Sequence, residues 1–416
     1  MRTADAGAGG SSAGRPGVVA RGRSPRIGIV AACRFPAPRG SQVLVDGMAG
    51  ALAAAGADVH LLAPIVPGCR RPFALHSLAG PDGIPAAEPS AASGARRLLG
   101  DLRLASRLGA AVARERIEVL HAHNYEALLA SLRVREATGI PVVFHAHSVL
   151  ADELPLYAPR RVVPTGMARR LGAWCDRTFP PLADLVVVLS SDVADYLAQC
   201  GTDPRRIEVV APGLDPDGLA FARREGAPRA VFTGNLDRYQ NLDLLLAAWE
   251  LVEQRLPAAS LAIVTHERAR APLPRRGGAL GRVEVVQART LAQVRREWAR
   301  ATVGVSPRIS WSGFPVKTLN YMAAGLPTVA LEASAKGVRD GETGWVVRDP
   351  SPGALAEALC EALDDPGRSA ERGRRAREVL AEEHAWPRLA ARILGLSRAV
   401  ASAGRGRRLP TGGVAG

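Results

Sequence analysis

Short apolar runs of β character alternate along the chain with stretches of helical spacing, and the alternation starts afresh near the middle. The first run is Arg26-Ile27-Gly28-Ile29-Val30-Ala31-Ala32, followed by a loop, Phe35-Pro36-Ala37-Pro38-Arg39-Gly40-Ser41. Val45, Met48, Ala49 and Leu52 keep helical spacing up to Gly56, and Val59-His60-Leu61-Leu62 is a second run. Strand, glycine-containing loop, helix and strand make a βαβ unit, which calls for a parallel sheet. Residues 68–94 carry no period. A helix is predicted over 95–115, with Leu98, Leu102, Ala105 and Leu108 near one side and Arg96, Arg97, Arg103, Arg107 and Arg114 on the other. Strands are predicted at 119–124, 141–148 and 183–191, a helix from Asp192 to Gln199, and a closing strand over 207–215.

After a polar stretch with Gly and Pro, 216–228, the pattern restarts. Strand 230–235, a helix from Leu242 to Leu256, strands 261–264 and 283–286, and a helix marked by Leu291, Val294 and Trp298 follow in turn. Strand 301–306 enters a turn and short helix, and strand 328–331 leaves it. A last strand, 344–347, precedes helices over 353–364, 367–383 and 386–400. The expectation is an α/β protein of two consecutive βα domains, 25–215 and 229–385, joined by a linker at 216–228. The leader 1–24 and the tail 403–416 are expected to be disordered.

A chain of 416 residues is long enough for two such domains, each with its own core. Hydrophobic residues at 47% and a mean hydropathy near zero describe a soluble globular protein. The formal charge of +14 suits an anionic ligand or membrane surface. Aromatic and basic residues are not interleaved, so nucleic acid is not expected as a partner. Five scattered cysteines, without a C-x-x-C pair, argue against a disulfide framework or zinc site and suit a reducing cytosol. No apolar run is long enough to span a bilayer, and the leader has no hydrophobic segment of a secretory signal. The expected place is cytoplasmic, with a peripheral position on the inner membrane face as the variant.

Residues 310–327 read as a turn feeding a short helix. Pro315 fits a first helical turn, Leu319, Met322 and Ala323 share an apolar side, Gly325 suits the left-handed residue beyond the helix, and Pro327 blocks continuation. Lys317, a cation near the positive end of the helix dipole, gains from a nearby anion. With Asn320 three residues on, it could hold a phosphate and a polar ring; a solvated helix face is the alternative. In the first loop, Gly40 permits close backbone approach at a helix N-terminus and Arg39 adds charge, although a tight structural turn reads equally well. His121 and His123, then His145 and His147, end two strands that should be neighbours. No Asp or Cys partner sits at ligand spacing, so hydrogen bonding to sugar hydroxyls or phosphate is expected rather than a metal. Asp152 and Glu153 are acceptor contacts or surface loop. Arg160, Arg161, Arg169 and Arg170 form a second basic cluster after that of the 95–115 helix, and either could face an anionic membrane.

The segments RIGIVAACRFPAPRGSQVL, EVLHAHNYEA, PVVFHAHS, ADLVVVLSSDV, IEVVAPGLD, FTGNLDRYQNLDLLLAAW, SGFPVKTLNYMAAGLPTVA and DGETGWVV, in this order and spacing, resemble family 4 of the retaining, nucleotide-sugar-dependent glycosyltransferases over roughly residues 25–400. The resemblance implies the GT-B fold, two facing Rossmann-like domains with the donor in the cleft between them. It places the acceptor on the N-terminal side and the nucleotide sugar on the C-terminal side. A final helix, 386–402, would cross back to the N-terminal domain. The implied activity is that of a retaining hexosyltransferase, using a nucleotide-sugar donor as substrate, a glycan, lipid-linked or small-molecule acceptor, and neither cofactor nor metal.

In that family the segment matching 312–320 carries a glutamate at each end, the first on donor-sugar hydroxyls and the second on the ribose. Ser312 and Asn320 stand there in this chain, while Phe314 and Tyr321-Met322-Ala323-Ala324-Gly325-Leu326-Pro327 keep the pattern. Both replacements still hydrogen-bond but supply no charged acceptor. The family also has an arginine after the strand glycine and a lysine further on, facing the diphosphate. Here Gly234 is followed by Asn235, and the later position is Gln240. Lys317, Arg238, Arg308 and Arg39 are therefore the candidates to neutralise a diphosphate, with the N–H groups after Gly313 and Gly40. Lys317 leads, because its helix-start position asks for an anion; the resemblance adds that family members with a P-x-K arrangement in this helix also lack some of the usual basic residues. His147 matches the family histidine near sugar and acceptor. The departing phosphate can take the acceptor's proton, so no protein base is required. A catalytically silent, ligand-binding relative is the rival reading. A tandem-Rossmann oxidoreductase would need G-x-G-x-x-G, which is absent, and an epimerase of this fold a more acidic cleft.

Overall fold

The structure, a computed structural model, describes residues 24–37, 39–79, 94–157, 163–214, 226–267 and 282–407. The first half contains β1 (Arg26–Ala31), α1 (Gly40–Ala54), β2 (Asp58–Ala63), β3 (Ala74–Ser77), α2 (Gly94–Glu115), β4 (Val119–His123), α3 (Asn124–Thr138), β5 (Val142–Ala146), α4 (Leu150–Tyr157), α5 (Thr165–Thr178), β6 (Leu185–Val188), α6 (Ser191–Gln199) and β7 (Ile207–Val209). The second contains β8 (Arg229–Thr233), α7 (Leu242–Arg255), β9 (Ser260–Thr265), β10 (Val283–Gln287), α8 (Leu291–Arg300), β11 (Val303–Ser306), α9 (Val316–Ala323), β12 (Thr328–Leu331), β13 (Gly344–Val347), α10 (Pro352–Asp364), α11 (Pro366–Glu383) and α12 (Trp386–Arg407).

The strands build two parallel sheets, ordered β3-β2-β1-β4-β5-β6-β7 and β10-β9-β8-β11-β12-β13. Strands such as Ile27–Ala31 and Val119–His123 are buried throughout, as a sheet covered on both faces requires. Strand order reverses between β1 and β4 and again between β8 and β11. Crevices of this kind, at the carboxyl ends of the strands, are where open α/β sheets bind ligands.

Three elements differ from the sequence pattern. β3 falls inside the aperiodic 68–94 stretch; it is a short edge strand set by its parallel register on β2, not by its own periodicity. α3 begins directly at the polar end of β4, where Asn124 takes φ +67°, a conformation that Asn tolerates better than most residues. α4 holds Asp152 and Glu153, which the sequence leaves open between acceptor contacts and surface loop. Its first two N–H groups, from Leu150 and Ala151, donate to Asp176 at 2.9 Å each, so a buried carboxylate from α5 does the capping. The basic 95–115 helix is α2; its described part packs inward through Leu108, Ala111 and Val112, and Arg107 donates to the Leu78 carbonyl at 3.0 Å. Arg160 and Arg161, most of the 216–228 stretch, the 1–23 leader and the tail from 408 lie outside the described residues.

The halves share a buried cluster in which Leu44 and Leu189 meet Phe314, Leu319, Met322, Val379 and Leu380. α12 then packs against the first half, with Trp386, Leu389, Ala390, Ile393 and Leu394 among Ile27, Val45, Met48 and Leu52. The Trp386 indole leaves no room for a side chain at two glycines: a Cβ would come within 2.7 Å of it at Gly47 and 2.5 Å at Gly213. The two chain crossings between the halves run side by side, because His384 Nδ1 donates to the Pro212 carbonyl and Leu214 N to the His384 carbonyl, both at 2.9 Å.

Candidate active site

Lys317 and Tyr321 lie four residues apart on α9 and so share a face. The Tyr321 ring occupies the space that a Cβ at Gly304 would need, 2.4 Å away, and its hydroxyl accepts a hydrogen bond from Thr233 N at 2.8 Å. This pins α9 across the ends of β8 and β11. Lys317, one turn nearer the helix start, consequently reaches Gly234, where β8 ends. Its Nζ donates to Gln240 Oε1 at 2.5 Å and stands 3.9 Å from the centroid of the Phe232 ring. A Cβ at Gly234, whose φ is +154°, would lie 3.3 Å from that ammonium, so only glycine leaves the space open. Gln240 donates to Asn235 Oδ1 at 2.8 Å, and Asn235 Nδ2 to Asp237 Oδ2 at 2.5 Å. The two amides thus hold Lys317 in place through a hydrogen-bonded chain that ends on the Asp237 carboxylate.

Arg308 follows β11. Its Nη2 donates to Ser310 Oγ at 2.9 Å and lies where a Cβ at Gly313 would come within 2.3 Å. Ser310 Oγ donates in turn to Asp152 Oδ2 at 2.7 Å. Ser312 donates to the same oxygen from both its backbone N, at 3.1 Å, and its Oγ, at 2.8 Å, and its Oγ accepts from Val149 N at 3.2 Å. A carboxylate does therefore stand beside Ser312, but it is carried by α4 of the opposite half. Lys336 makes a second link across the cleft, its Nζ 2.9 Å from Asp192 Oδ2, and Trp311 meets Tyr196 edge-on at 5.4 Å.

Burial pushes the Arg308 guanidinium below its usual value, and burial with the Arg308 charge holds Lys317 well below the usual lysine value. Neither forms an ion pair with a carboxylate among the described residues. Arg308 reaches the Asp152 carboxylate only through Ser310, and Lys317 has no carboxylate beside it, so an anion joining the two would offset part of their desolvation cost. An anion would raise the Lys317 pKa, so binding of a nucleoside diphosphate is expected to take up a proton. Affinity then falls as pH rises through the raised, bound value. Titration calorimetry at several pH values in buffers of different ionisation enthalpy measures this directly. A binding enthalpy independent of buffer throughout would contradict the assignment.

The four strand-end histidines form a ladder. His121 Nδ1 and His145 Nε2 are 2.8 Å apart, and His123 Nδ1 and His147 Nε2 2.7 Å. Ser397 Oγ, on α12, gives its hydrogen to the Ile393 carbonyl at 2.8 Å, so His121 Nε2, 3.0 Å away, must be its donor. His123 Nε2 is buried without a partner. An orphaned lone pair costs less than an orphaned N–H, which assigns the His123 proton to Nδ1, facing His147. Burial lowers the pKa of His147 to about 4 and of His121 to about 3. His147 is thus a neutral ring with Nε2 accepting and its proton on Nδ1, a donor rather than a base.

The remaining expected residues divide. Gly40 brings the start of α1 to the start of α9, a Cβ there lying 3.5 Å from Val316 Cγ2. Arg39 is exposed, and its charge acts on Asp237. Asn320 is half-buried, its side chain without a hydrogen bond among the described residues. The Phe314 ring is buried in the cluster between the halves, and Arg238 is exposed without an ion pair among the described residues. Lys336 and Asp192 carried no sequence signal, since one lone lysine must be brought to one aspartate about 140 positions away. The only His and carboxylate grouping of metal-ligand reach among the described residues is His60 and His76, on β2 and β3, with Glu115 at the end of α2. There the His60 and His76 nitrogens bond each other at 2.9 Å and His60 bonds Asp58 at 3.0 Å.

Residues 38–217 match the model of Glycosyltransferase Family 4, and residues 227–365 that of Glycosyl transferases group 1. The D-inositol 3-phosphate glycosyltransferase of Pseudarthrobacter chlorophenolicus is 27% identical over 299 residues, covering 66% of this chain and 69% of that protein. The alpha-maltose-1-phosphate synthase of Mycolicibacterium smegmatis is 26% identical over 320 residues, covering 69% and 80%. Among solved structures, sucrose-phosphate synthase from Thermosynechococcus elongatus superposes with a TM-score of 0.74 at 19% identity, over 92% of this chain and 100% of that one. HepE of Anabaena, in complex with UDP and glucose, superposes with a TM-score of 0.64 at 15% identity, over 89% and 99%. These superpositions share the two-sheet fold.

Proposed function

The chain belongs to the family 4 glycosyltransferases of GT-B fold, and on that premise we propose that it moves a hexosyl group from a nucleoside-diphosphate donor to an acceptor hydroxyl with retention of anomeric configuration. The observation that carries this reading is the pair Lys317 and Arg308, two half-buried basic groups that form no direct ion pair with a carboxylate among the described residues, at the crevice where β8 and β11 end. The donor diphosphate would supply the missing negative charge. As the bond to the sugar breaks, charge grows on the departing phosphate, and Lys317, Arg308 and the start of α9 are preorganised to meet it. The start of α1 at Gly40, close to Val316, offers further N–H groups, and Arg39 adds charge at the rim.

Asp152 Oδ2 is occupied by Ser310 and Ser312, so its second oxygen is the acceptor for a donor-sugar hydroxyl. Asn320, with a side chain uncommitted to protein, suits the ribose. His147 donates from Nδ1 to the sugar or acceptor. The departing phosphate takes the acceptor's proton, in keeping with a histidine that is no base. The acceptor is a glycan, a lipid-linked sugar or a small molecule. Anabaena HepE, which shares the fold, was solved with UDP, which makes uridine donors the first to test.

The test is incubation with a panel of uridine, guanosine and adenosine diphosphate sugars together with candidate acceptors. Release of nucleoside diphosphate from one donor, with a product of unchanged anomeric configuration by proton NMR, is the expected result. Nucleotide binding by thermal shift without release from any donor would replace this reading with that of a silent binding protein.

A further inference from the structure

α5 has two faces of opposite character. Its inner face, with Ala168, Gly172 and Asp176, is clamped to α4: a Cβ at Gly172 would stand 2.2 Å from the Leu150 carbonyl oxygen. Asp176 on that face accepts from Leu150 N, Ala151 N and the hydroxyls of Tyr125 and Tyr196. On the outer face Met167 is 61% exposed, Leu171 53% and Trp174 55%. Their spacing, i, i+4 and i+7, puts them in one line along the helix. Leu182, 50% exposed, lies just beyond the helix end, and the Trp174 indole rests edge-on against the Phe179 ring at 5.7 Å. Half of the eight large apolar side chains that are exposed among the described residues thus sit on this helix and the turn after it.

Arg169, Arg170 and Arg177 are exposed on the same helix, and at 100° per residue Arg170 and Arg177 border the apolar line. None of the three has a carboxylate within ion-pair distance among the described residues. The single acidic residue of α5, Asp176, is the buried one. A line of Met, Leu and Trp edged by cations of one sign is unfavourable in water and asks for a covering surface that is apolar and anionic together. A second copy of the chain would bring the same arginines against each other. Among the described residues no helix is long and apolar enough to cross a membrane, so the helix would lie on a bilayer, not pass through it.

We propose that α5 seats the N-terminal half on an anionic lipid surface, with Met167, Leu171 and Trp174 entering the headgroup region and Arg170 and Arg177 on the phosphates. This goes beyond the donor chemistry and is tested without it. Full-length protein is sedimented with vesicles of phosphatidylcholine alone or with about one third phosphatidylglycerol, at low and physiological salt. Binding should require the anionic lipid and weaken with salt. The triple change Met167→Ser, Leu171→Ser and Trp174→Ser should lower the partition at least ten-fold with circular dichroism unchanged. Arg170→Gln together with Arg177→Gln should lower it too, because each cation near such a surface adds to the attraction. Fluorescence quenching by brominated lipid should be present in the wild type and lost in Trp174→Phe, which still binds. Equal binding by wild type and triple variant, or no binding to anionic vesicles, overturns the proposal. So does a concentration-dependent dimer in sedimentation velocity that Leu171→Ser abolishes, which would make the face a contact between copies.

Discussion

Lys317→Ala is expected to lower release of nucleoside diphosphate from the accepted donor by about 10²–10³-fold, the usual effect of removing one preorganised group at a developing charge. The melting temperature should hardly fall. No ion pair goes with it; the loss is the hydrogen bond to Gln240 and some packing on Phe232. Lys317→Met retains the aliphatic stem and separates the two terms: it should be as inactive as the alanine variant and more stable than it. Proton uptake on nucleotide binding should vanish in both. If either variant releases nucleoside diphosphate within a factor of three of wild type, Lys317 is not the phosphate clamp. Wild-type nucleotide affinity in both variants would move the diphosphate elsewhere.

Trp386→Ala should cost about 3–5 kcal/mol, as for other large core side chains cut back to alanine. Its indole fills the space over Gly47 and Gly213, and neither glycine has a side chain that could collapse into the void. At about 2–4 °C per kcal/mol for domains of this size, the melting temperature drops by roughly 6–20 °C. Calorimetry reads the drop, which should fall on the transition of the N-terminal half. A variant melting within 2 °C of wild type would show that α12 is held by something other than this contact. Nucleotide affinity below the transition should change little, because Lys317 and Arg308 belong to the other sheet.

Most strands and helices were legible because parallel strands are uniformly apolar and the helices between them keep their period; Ile27–Ala31 and Leu242–Arg255 are cases. β3 was not, since a four-residue edge strand such as Ala74–Ser77 takes its conformation from β2 and leaves little trace in its own residues. Lys317 was legible as a cation misplaced in a first helical turn. That Gln240 and Asn235 would hold it was not, because amide chains have no spacing rule. The serine at 312 appears in the sequence as a lost charge. The structure returns a charge to the same spot from Asp152, 160 positions away, a pairing no local pattern can announce. The histidine pairs could be placed at adjacent strand ends, but their proton positions depend on Ser397 at the far end of the chain.

That dependence on the far end has a consequence for how the protein is made. The N-terminal sheet is synthesised first, yet the groove along α1 that Trp386, Leu389 and Ile393 fill stays open until nearly the whole chain has been translated. At about 5–20 residues per second, the roughly 330 residues between Leu52 and Trp386 leave Val45, Met48 and Leu52 uncovered for about 15 to 70 seconds on every ribosome. Nascent chains are therefore most prone to aggregate, and most in need of a chaperone, after the first half has emerged and before the last helix has. A stop codon anywhere before residue 386 makes that interval permanent.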